Sequence, residues 1–556
     1  MANFLEDIFA QLQQAGSRVV LREIRGEQFV SVTGRELLDQ VQRVRAYLRR
    51  SGLQSGERCA LLAPNSVRWA AFDLALMAEG IIVVPLYSRQ APADIAAMMK
   101  DCQPRFIFAS DPALGDAAAQ ALPPEQSEAC RLLLFDEVLQ EPAPHPSLPD
   151  APNPRNDTDL VTIIYTSGTS GEPKGVCLNV GNLTHMLACT CERLDQLMGA
   201  MNEPDRVFHY LPFNFAASWI LLLSCLTRES VLTLSTDLSR LADEIRLASP
   251  HYFLNVPTLL ERVRRGVEDA LSKRGAMVRS LFTKARDAWQ RQHVGRGRAR
   301  DALWLALGRK IIFGKIKERF GLQLRALICG SAPLAPETQQ FFLMLGIPVL
   351  QAYGLTETTG ICTLDDPRLP VEPGYVGRAV SGIEMKFADN EEIVVRGPHI
   401  FPGYWNRPEE TARVLQDGWF HTGDQGQVNV RGNWRISGRI KNLIILNSGH
   451  NIAPEPIEEK IVRLLPAAQQ VVLVGNGRGY LCALVTGAID SVVVQSALDA
   501  VNPGLPHYRQ IRNFTILSDT FTPENGLFTA NGKVRRDAIN ARFAAEINAM
   551  YDGKQA

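Results

Sequence analysis

The chain has no surplus of charge. Its 556 residues hold 59 lysines and arginines against 59 aspartates and glutamates. No global field draws it to nucleic acid, so an anion site has to be built locally. Long apolar runs are also missing. "WILLLSCL" at 219–226 falls far short of the roughly 18 residues of a membrane span. "MANFLEDIFAQLQQ" carries Glu6 and Asp7 and has no apolar centre, which excludes a secretory signal. Of ten cysteines only Cys189 and Cys191 stand close together. One C-x-C without a second pair is a poor zinc signal, and reduced thiols in a cytoplasmic protein are expected. Internal repeats and low-complexity tracts are absent.

What remains is ordinary globular material, 46% hydrophobic and 21% charged. Its length suits about three or four domain-sized units. "TGRE" at 33–36 reads as a capping box, Thr33 with Glu36, opening an amphipathic helix that ends near Gly52. "RCALLA", "IIVVPLY" and "RFIFAS" are short, unalternated apolar strands, with helical stretches between them. This rhythm predicts α/β units on a parallel sheet. The proline-rich stretch 140–158 is a connector. Residues 259–320 break the rhythm and read as helical and strongly basic. Beyond 370, short strands and glycine turns predict a small β-barrel or an irregular sheet. From 438 a compact α+β pattern begins, so the expected division is 1–437 and 438–556.

"YTSGTSGEPKGV" at 165–176 gathers glycines and hydroxyls around one lysine, the composition of a phosphate-holding loop. It fails the P-loop test. Counting from Gly168, Pro173 stands at the second glycine and Lys174 precedes Gly175, not a hydroxyl residue. Strand-like "VCLNV" follows. A strand–loop–strand hairpin is expected, which counts against a P-loop kinase or ATPase.

This stretch resembles the phosphate loop of the acyl-adenylate-forming (AMP-binding) superfamily. "CGSAPL" at 329–334, "QAYGLTETTG" at 351–360, "DGWFHTGD" at 417–424, "SGRIKNLII" at 437–445 and "TPENGLFTANGKVRR" at 522–536 follow in the family's order. The last looks like the long-chain fatty acyl-CoA synthetases. The resemblance implies a large α/β region with a small β-barrel, then a small mobile α+β domain. It implies a nucleotide site formed by Thr166, Ser167, Gly168, Thr169, Ser170, Gly171, Lys174, Gly330, Ser331, Ala332, Gln351, Tyr353, Gly354, Thr356, Asp424 and Arg439, with Gly449 in the segment "NSGHN" at 447–451 that would line the coenzyme A thiol tunnel. Lys174, Thr356 and Lys533 would be catalytic. Glu357 would hold Mg²⁺, Tyr353 would stack on adenine, Asp424 would accept the ribose hydroxyls, and Lys441 would be the hinge. ATP, Mg²⁺ and coenzyme A are the implied small molecules, and a homodimer is left open.

The chain departs from the family in places. It has "NVGN" at 179–182, Phe215 where histidine is common, and Asn442 where an acid often stands. Ala216 replaces the aspartate that pairs an amino-acid substrate's amine, so a fatty acid is expected. The apolar "LPFNFAASWILLLSCL" would line its tunnel, with Phe215 on the wall and Trp219 as either a gate or plain core. The basic stretch 259–320 resembles an extra helical region of long-chain synthetases. Two readings stand for it: a solvated helical pair, or a seat on an anionic membrane surface, peripheral on the inner face. The leading expectation is fatty acid activation to acyl-AMP, then transfer to coenzyme A. The rivals are an acyl-AMP ligase serving a carrier protein and a non-catalytic nucleotide-binding protein of the same fold.

Overall fold

The computed structural model describes residues 3–120, 122, 130–140, 151–167, 173–465, 467–522, 524–528 and 534–552. Four positions expected at the phosphates, Gly168, Thr169, Ser170 and Gly171, lie outside the described residues, and so does Lys533.

Two large sheets dominate. One has nine strands, with Val19–Arg25, Ser230–Leu234, Asp205–His209, Tyr252–Asn255, Ala326–Cys329 and Val349–Tyr353 parallel and adjacent in that order. Antiparallel strands close it on both sides. The other has seven strands. Leu160–Ser167, Ile82–Leu86, Arg58–Leu62, Phe106–Ala109 and Arg131–Leu134 are its parallel run. These strands are buried on both faces, which is why their sequences run apolar without alternation.

Between the sheets pack helices such as Val67–Ala78 and Ala216–Thr227, predominantly apolar and almost wholly buried. The Thr33–Glu36 capping box forms as expected, and its helix Gly34–Arg50 stops two residues before Gly52. The short strands beyond residue 380 make a five-stranded antiparallel sheet centred on Trp419–Val428. Helices fill the basic stretch: Pro257–Ser272, Ala276–His293, Ala299–Gly308 and a π turn Arg309–Phe313.

The C-terminal unit has its own core around Gln470–Val474, Leu481–Thr486 and Ile511–Leu517, with helices Glu455–Leu464 and Ser491–Val501. Among the described residues no helix is long and apolar enough to cross a membrane.

Candidate active site

Strands Leu160–Ser167 and Pro173–Asn179 form the expected hairpin, with Thr166 opposite Lys174. Asn179 caps a helix, Val180–Met198, directly afterwards. Thr166 and Lys174 both line a cavity of about 590 Å³. Lys174 Nζ is ion-paired with Glu410 and lies 5.5 Å from the centre of the Tyr404 ring. Tyr404 donates its hydroxyl to Glu357 Oε1 at 2.8 Å. One aromatic side chain thus spans the candidate phosphate lysine and the candidate magnesium ligand.

Thr356 and Glu357 stand on a one-turn 3₁₀ helix after strand Val349–Tyr353 and line the same cavity. Gly354 makes that turn possible. A Cβ there would be 2.3 Å from the Gly360 carbonyl oxygen and 2.6 Å from Ile361 Cα. Gly330 and Ser331 follow strand Ala326–Cys329, and Ser331 sits at φ 78°, a left-handed conformation that bends the chain away from the sheet.

A second, contiguous cleft of about 1670 Å³ lies between the large region and the C-terminal unit, and Ala332, Tyr353 and Asp424 line it. Tyr353 donates to Asp424 Oδ2 at 2.8 Å, and Arg439 Nε lies 2.7 Å from Asp424 Oδ1. Burial first, and the Asp424 charge second, push the Tyr353 phenol well above its ordinary pKa. Lys441 faces both cavities. Burial, then the nearby Arg439 charge, bring its pKa down to about 8. An incoming polyphosphate would raise that pKa again by favouring the charged form.

The far wall of the first cavity is apolar. Helix Ala216–Thr227 offers Ala216, Ala217, Ile220 and Leu221, joined by Phe215, Leu194, Leu254 and Ile361. Phe215 is on this wall, as expected. Trp219 is not a gate: it is 2% exposed, and its indole donates to the buried Asp73 at 2.7 Å, on the side of the helix away from the cavity.

One other expectation changes, at Gly449. Gln351 lines the second cleft as expected, and it donates both amide hydrogens, to Gln339 Oε1 and to the Tyr375 carbonyl, so it also braces that wall. Gly449 lines neither cavity. The C-terminal unit presents a different surface to the site, and Phe528 and Arg535, which flank the segment containing Lys533, line the first cavity. His450 is exposed and stacks on Tyr508.

Sequence reasoning missed Tyr404, Glu410 and Arg535. Arg535 Nη1 donates to Asp94 Oδ2 at 3.2 Å. Its neighbour in "GKVRR" was a signal. Tyr404 and Glu410 carried none, because Tyr404 reaches the site on a short strand, Gly403–Tyr404, paired to the hairpin, and Glu410 on the helix Pro408–Val414 that follows.

Residues 8–405 match the model of the AMP-binding enzyme family, and residues 441–555 that of the AMP-binding enzyme C-terminal domain. The chain belongs to the AMP-binding, acyl-adenylate-forming enzymes. This AMP-binding enzyme is 26% identical over 576 residues to long-chain-fatty-acid–CoA ligase FadD15 of Mycobacterium tuberculosis, covering 94% of this chain and 93% of that one. It is 26% identical over 636 residues to the chloroplastic long-chain-fatty-acid–acyl-carrier-protein ligase AEE15 of Arabidopsis thaliana, covering 97% and 85%. In fold it resembles the adenylation domain of a carboxylic acid reductase from Segniliparus rugosus, with a TM-score of 0.78 at 21% identity over 99% and 94% of the two chains. ATP is the nucleotide AMP-binding enzymes use. Magnesium fits the donor set: Glu357 faces the cavity beside Lys174 and Lys441, with Asp94 and Glu392 also on its lining, leaving phosphate oxygens to complete the shell.

Proposed function

We propose that this AMP-binding enzyme activates a medium- to long-chain fatty acid as its acyl-adenylate and passes the acyl group to coenzyme A. One observation carries the reading. A single cavity has Lys174, Lys441, Thr356 and Glu357 at one end and an apolar wall from Phe215 to Leu221 at the other. The wall suits a hydrocarbon chain, and the polar end suits a carboxylate meeting a triphosphate.

In the first step a carboxylate oxygen attacks the α-phosphorus of ATP. The bond to the bridging oxygen breaks and pyrophosphate leaves. Both partners are anions, so the protein's work is neutralisation and alignment. Lys174 exchanges Glu410 for the β- and γ-phosphates, and Arg439 and Asp424 hold the ribose end. Thr356 bonds the α-phosphate, and Lys533 bridges it to the carboxylate. Magnesium, held by Glu357, supplies charge neutralisation on the phosphates. In the second step the C-terminal unit turns about Lys441, and the coenzyme A thiolate displaces AMP from the acyl carbon.

A second reading, transfer to a carrier protein, is favoured by the similarity to AEE15, whose name specifies that acceptor. The test is product analysis with ATP labelled in the α-phosphate over a panel of linear acids. AMP and pyrophosphate should appear in equal amounts. Efficiency should rise about fourfold per added CH₂ until the wall is filled, from ~0.8 kcal/mol for each. ADP as product, or no AMP with any acid, overturns the proposal. Supplying coenzyme A or holo-carrier protein in turn then decides the acceptor.

A further inference from the structure

The first cavity carries an acidic side chain that the proposed reaction does not use. Glu392 lines it beside His421, Thr422 and Gly423, whereas the next residue along, Asp424, lines the second cleft. The chain from 421 to 424 is therefore the partition between two spaces that one nucleotide spans in the proposed reaction.

The partition is an irregularity in a sheet. Strand Glu392–Arg396 runs antiparallel to Trp419–Val428, with Val394 opposite His421 and Glu392 opposite Gln425. Between those pairs stands one residue, Ile393, on the first strand and three, Thr422, Gly423 and Asp424, on the second. A bulge of this kind re-aims the side chains it carries. Gly423 supplies its backbone at φ 70°, in the left-handed region. A Cβ there would meet nothing within 4 Å, so the glycine is needed for its dihedral and not for space.

Side chains fasten the bulge, and one carboxylate makes two of the bonds. Glu392 Oε1 accepts the Gly423 N–H at 2.9 Å. Glu392 Oε2 lies 2.9 Å from His421 Nδ1, and because a carboxylate only accepts, the imidazole hydrogen sits on that nitrogen. From the other strand the Thr422 hydroxyl donates to the Ile393 carbonyl at 2.7 Å and accepts the Asp424 N–H at 3.0 Å. The Glu392 and His421 side chains are 16% and 27% exposed, so water competes only partly for their bond. What emerges from the bulge is Asp424, buried between Tyr353 and Arg439. Unfastened, the extra residues could relax and carry that carboxylate off its line.

We infer that Glu392 is a positioning residue for the nucleotide: from the first cavity it holds the bulge that aims Asp424 at the ribose hydroxyls in the second, a role that rests on the proposed placing of the ribose at Asp424. A carboxylate on this cavity could instead serve the magnesium ion directly. Both Glu392 oxygens are already engaged by hydrogens of the bulged strand, which points to the bulge. Glu392 and the ribose hydroxyls are thus coupled without touching. Removing either one should make the other matter less.

The experiment is isothermal titration calorimetry of the full-length protein with AMP and with 2′,3′-dideoxyadenosine monophosphate, which lacks both hydroxyls. The wild type should bind AMP about tenfold or more tightly than the dideoxy nucleotide. Glu392→Ala should weaken AMP binding about tenfold and change dideoxy binding less than about twofold, which also shows that the variant folds. Glu392→Gln keeps an oxygen for the Gly423 N–H and should stay within about threefold of the wild type with both nucleotides. Thr422→Val unfastens the same bulge from its other side and should repeat the selective loss. Equal losses with the two nucleotides, or a Glu392→Ala variant that binds AMP like the wild type, would overturn the proposal. Should Glu392→Ala fail to fold, Thr422→Val decides by the same comparison. A wild type that binds both nucleotides equally would overturn the placing of the ribose at Asp424, and this role with it.

Discussion

At the scale of single residues, the side chains of the candidate site already have partners that, in the proposed reaction, a nucleotide would replace. Lys174 is paired with Glu410, and Glu357 is bonded to Tyr404. Asp424 is bonded to Tyr353 and paired with Arg439. Each pairing keeps a partly buried charge or acceptor satisfied, and in the proposed reaction each would compete with the nucleotide. The Lys174–Glu410 pair is partly exposed, so its net worth is about 1 kcal/mol or less. Glu410→Gln should therefore lower the KM for ATP by about two- to fivefold and leave kcat nearly unchanged. Steady-state kinetics at saturating acid measure this. A raised KM would mean that Glu410 orients the lysine instead of competing for it. Most of the residues that would meet the nucleotide were legible in sequence, because small side chains and a lone cation in a fixed order have few other uses. Their present partners were not. Tyr404 and Glu410 belong to a stretch whose composition points to no particular chemistry.

At the scale of elements, helix Ala216–Thr227 shows what periodicity leaves open. Ten of its twelve residues are buried, so its sequence names no face. Packing chose one: Ala216, Ala217, Ile220 and Leu221 toward the cavity, Trp219 toward helix Val67–Ala78. There the indole meets Asp73, whose other oxygen, Oδ1, is buried without a partner. Burial outweighs the indole's hydrogen bond and raises the Asp73 pKa from 3.8 to about 7. The folded protein therefore keeps a proton that the unfolded chain gives up. Its stability falls as pH rises from 3.8 to 7, and the full cost remains above 7. Asp73→Asn retains an acceptor for Trp219 and removes that cost. The variant should be more stable than the parent by on the order of 1–3 kcal/mol at pH 8 and nearly equal to it at pH 4. Urea titrations at the two pH values would show this, and equal differences at both would mean that Asp73 stays ionised throughout.

At the scale of the whole molecule, a charged seam sets how the C-terminal unit sits. Arg463, on helix Glu455–Leu464, donates to Glu337 Oε2 at 2.5 Å and to Glu459 Oε1 at 2.7 Å. Burial, with Glu261 and Glu337 among the nearby charges, raises the Glu459 pKa. Glu261 is held by Thr338 and lies 3.6 Å from Arg264. Removing Arg463 takes away the cation that Glu337 and Glu459 share across the seam, and the unit should swing away. In the present orientation Phe528 and Arg535 face the cavity. Arg463→Ala should accordingly slow acid-dependent ATP–pyrophosphate exchange about three- to tenfold. Thiol acylation from supplied acyl-adenylate should change less than about twofold. Glu337→Arg with Arg463→Glu should recover the exchange. Equal losses in both half-reactions would place Arg463 in folding instead of orientation.

The sequence by itself settled what depends on neighbours along the chain. It set the Thr33–Glu36 cap, the alternation of buried strands and helices, and a glycine hairpin that no P-loop could replace. It also ruled out a membrane-spanning run. Only the tertiary structure decided which side of the almost wholly buried helix Ala216–Thr227 lines the cavity. It decided that Trp219 belongs to the core and answers an aspartate 146 positions away. It decided as well that Phe528 and Arg535, and not Gly449, face the cavity. The physical reason is range. Backbone preferences and caps act over a few residues, whereas ion pairs and hydrogen bonds between distant segments exist only once the sheets have packed and excluded water.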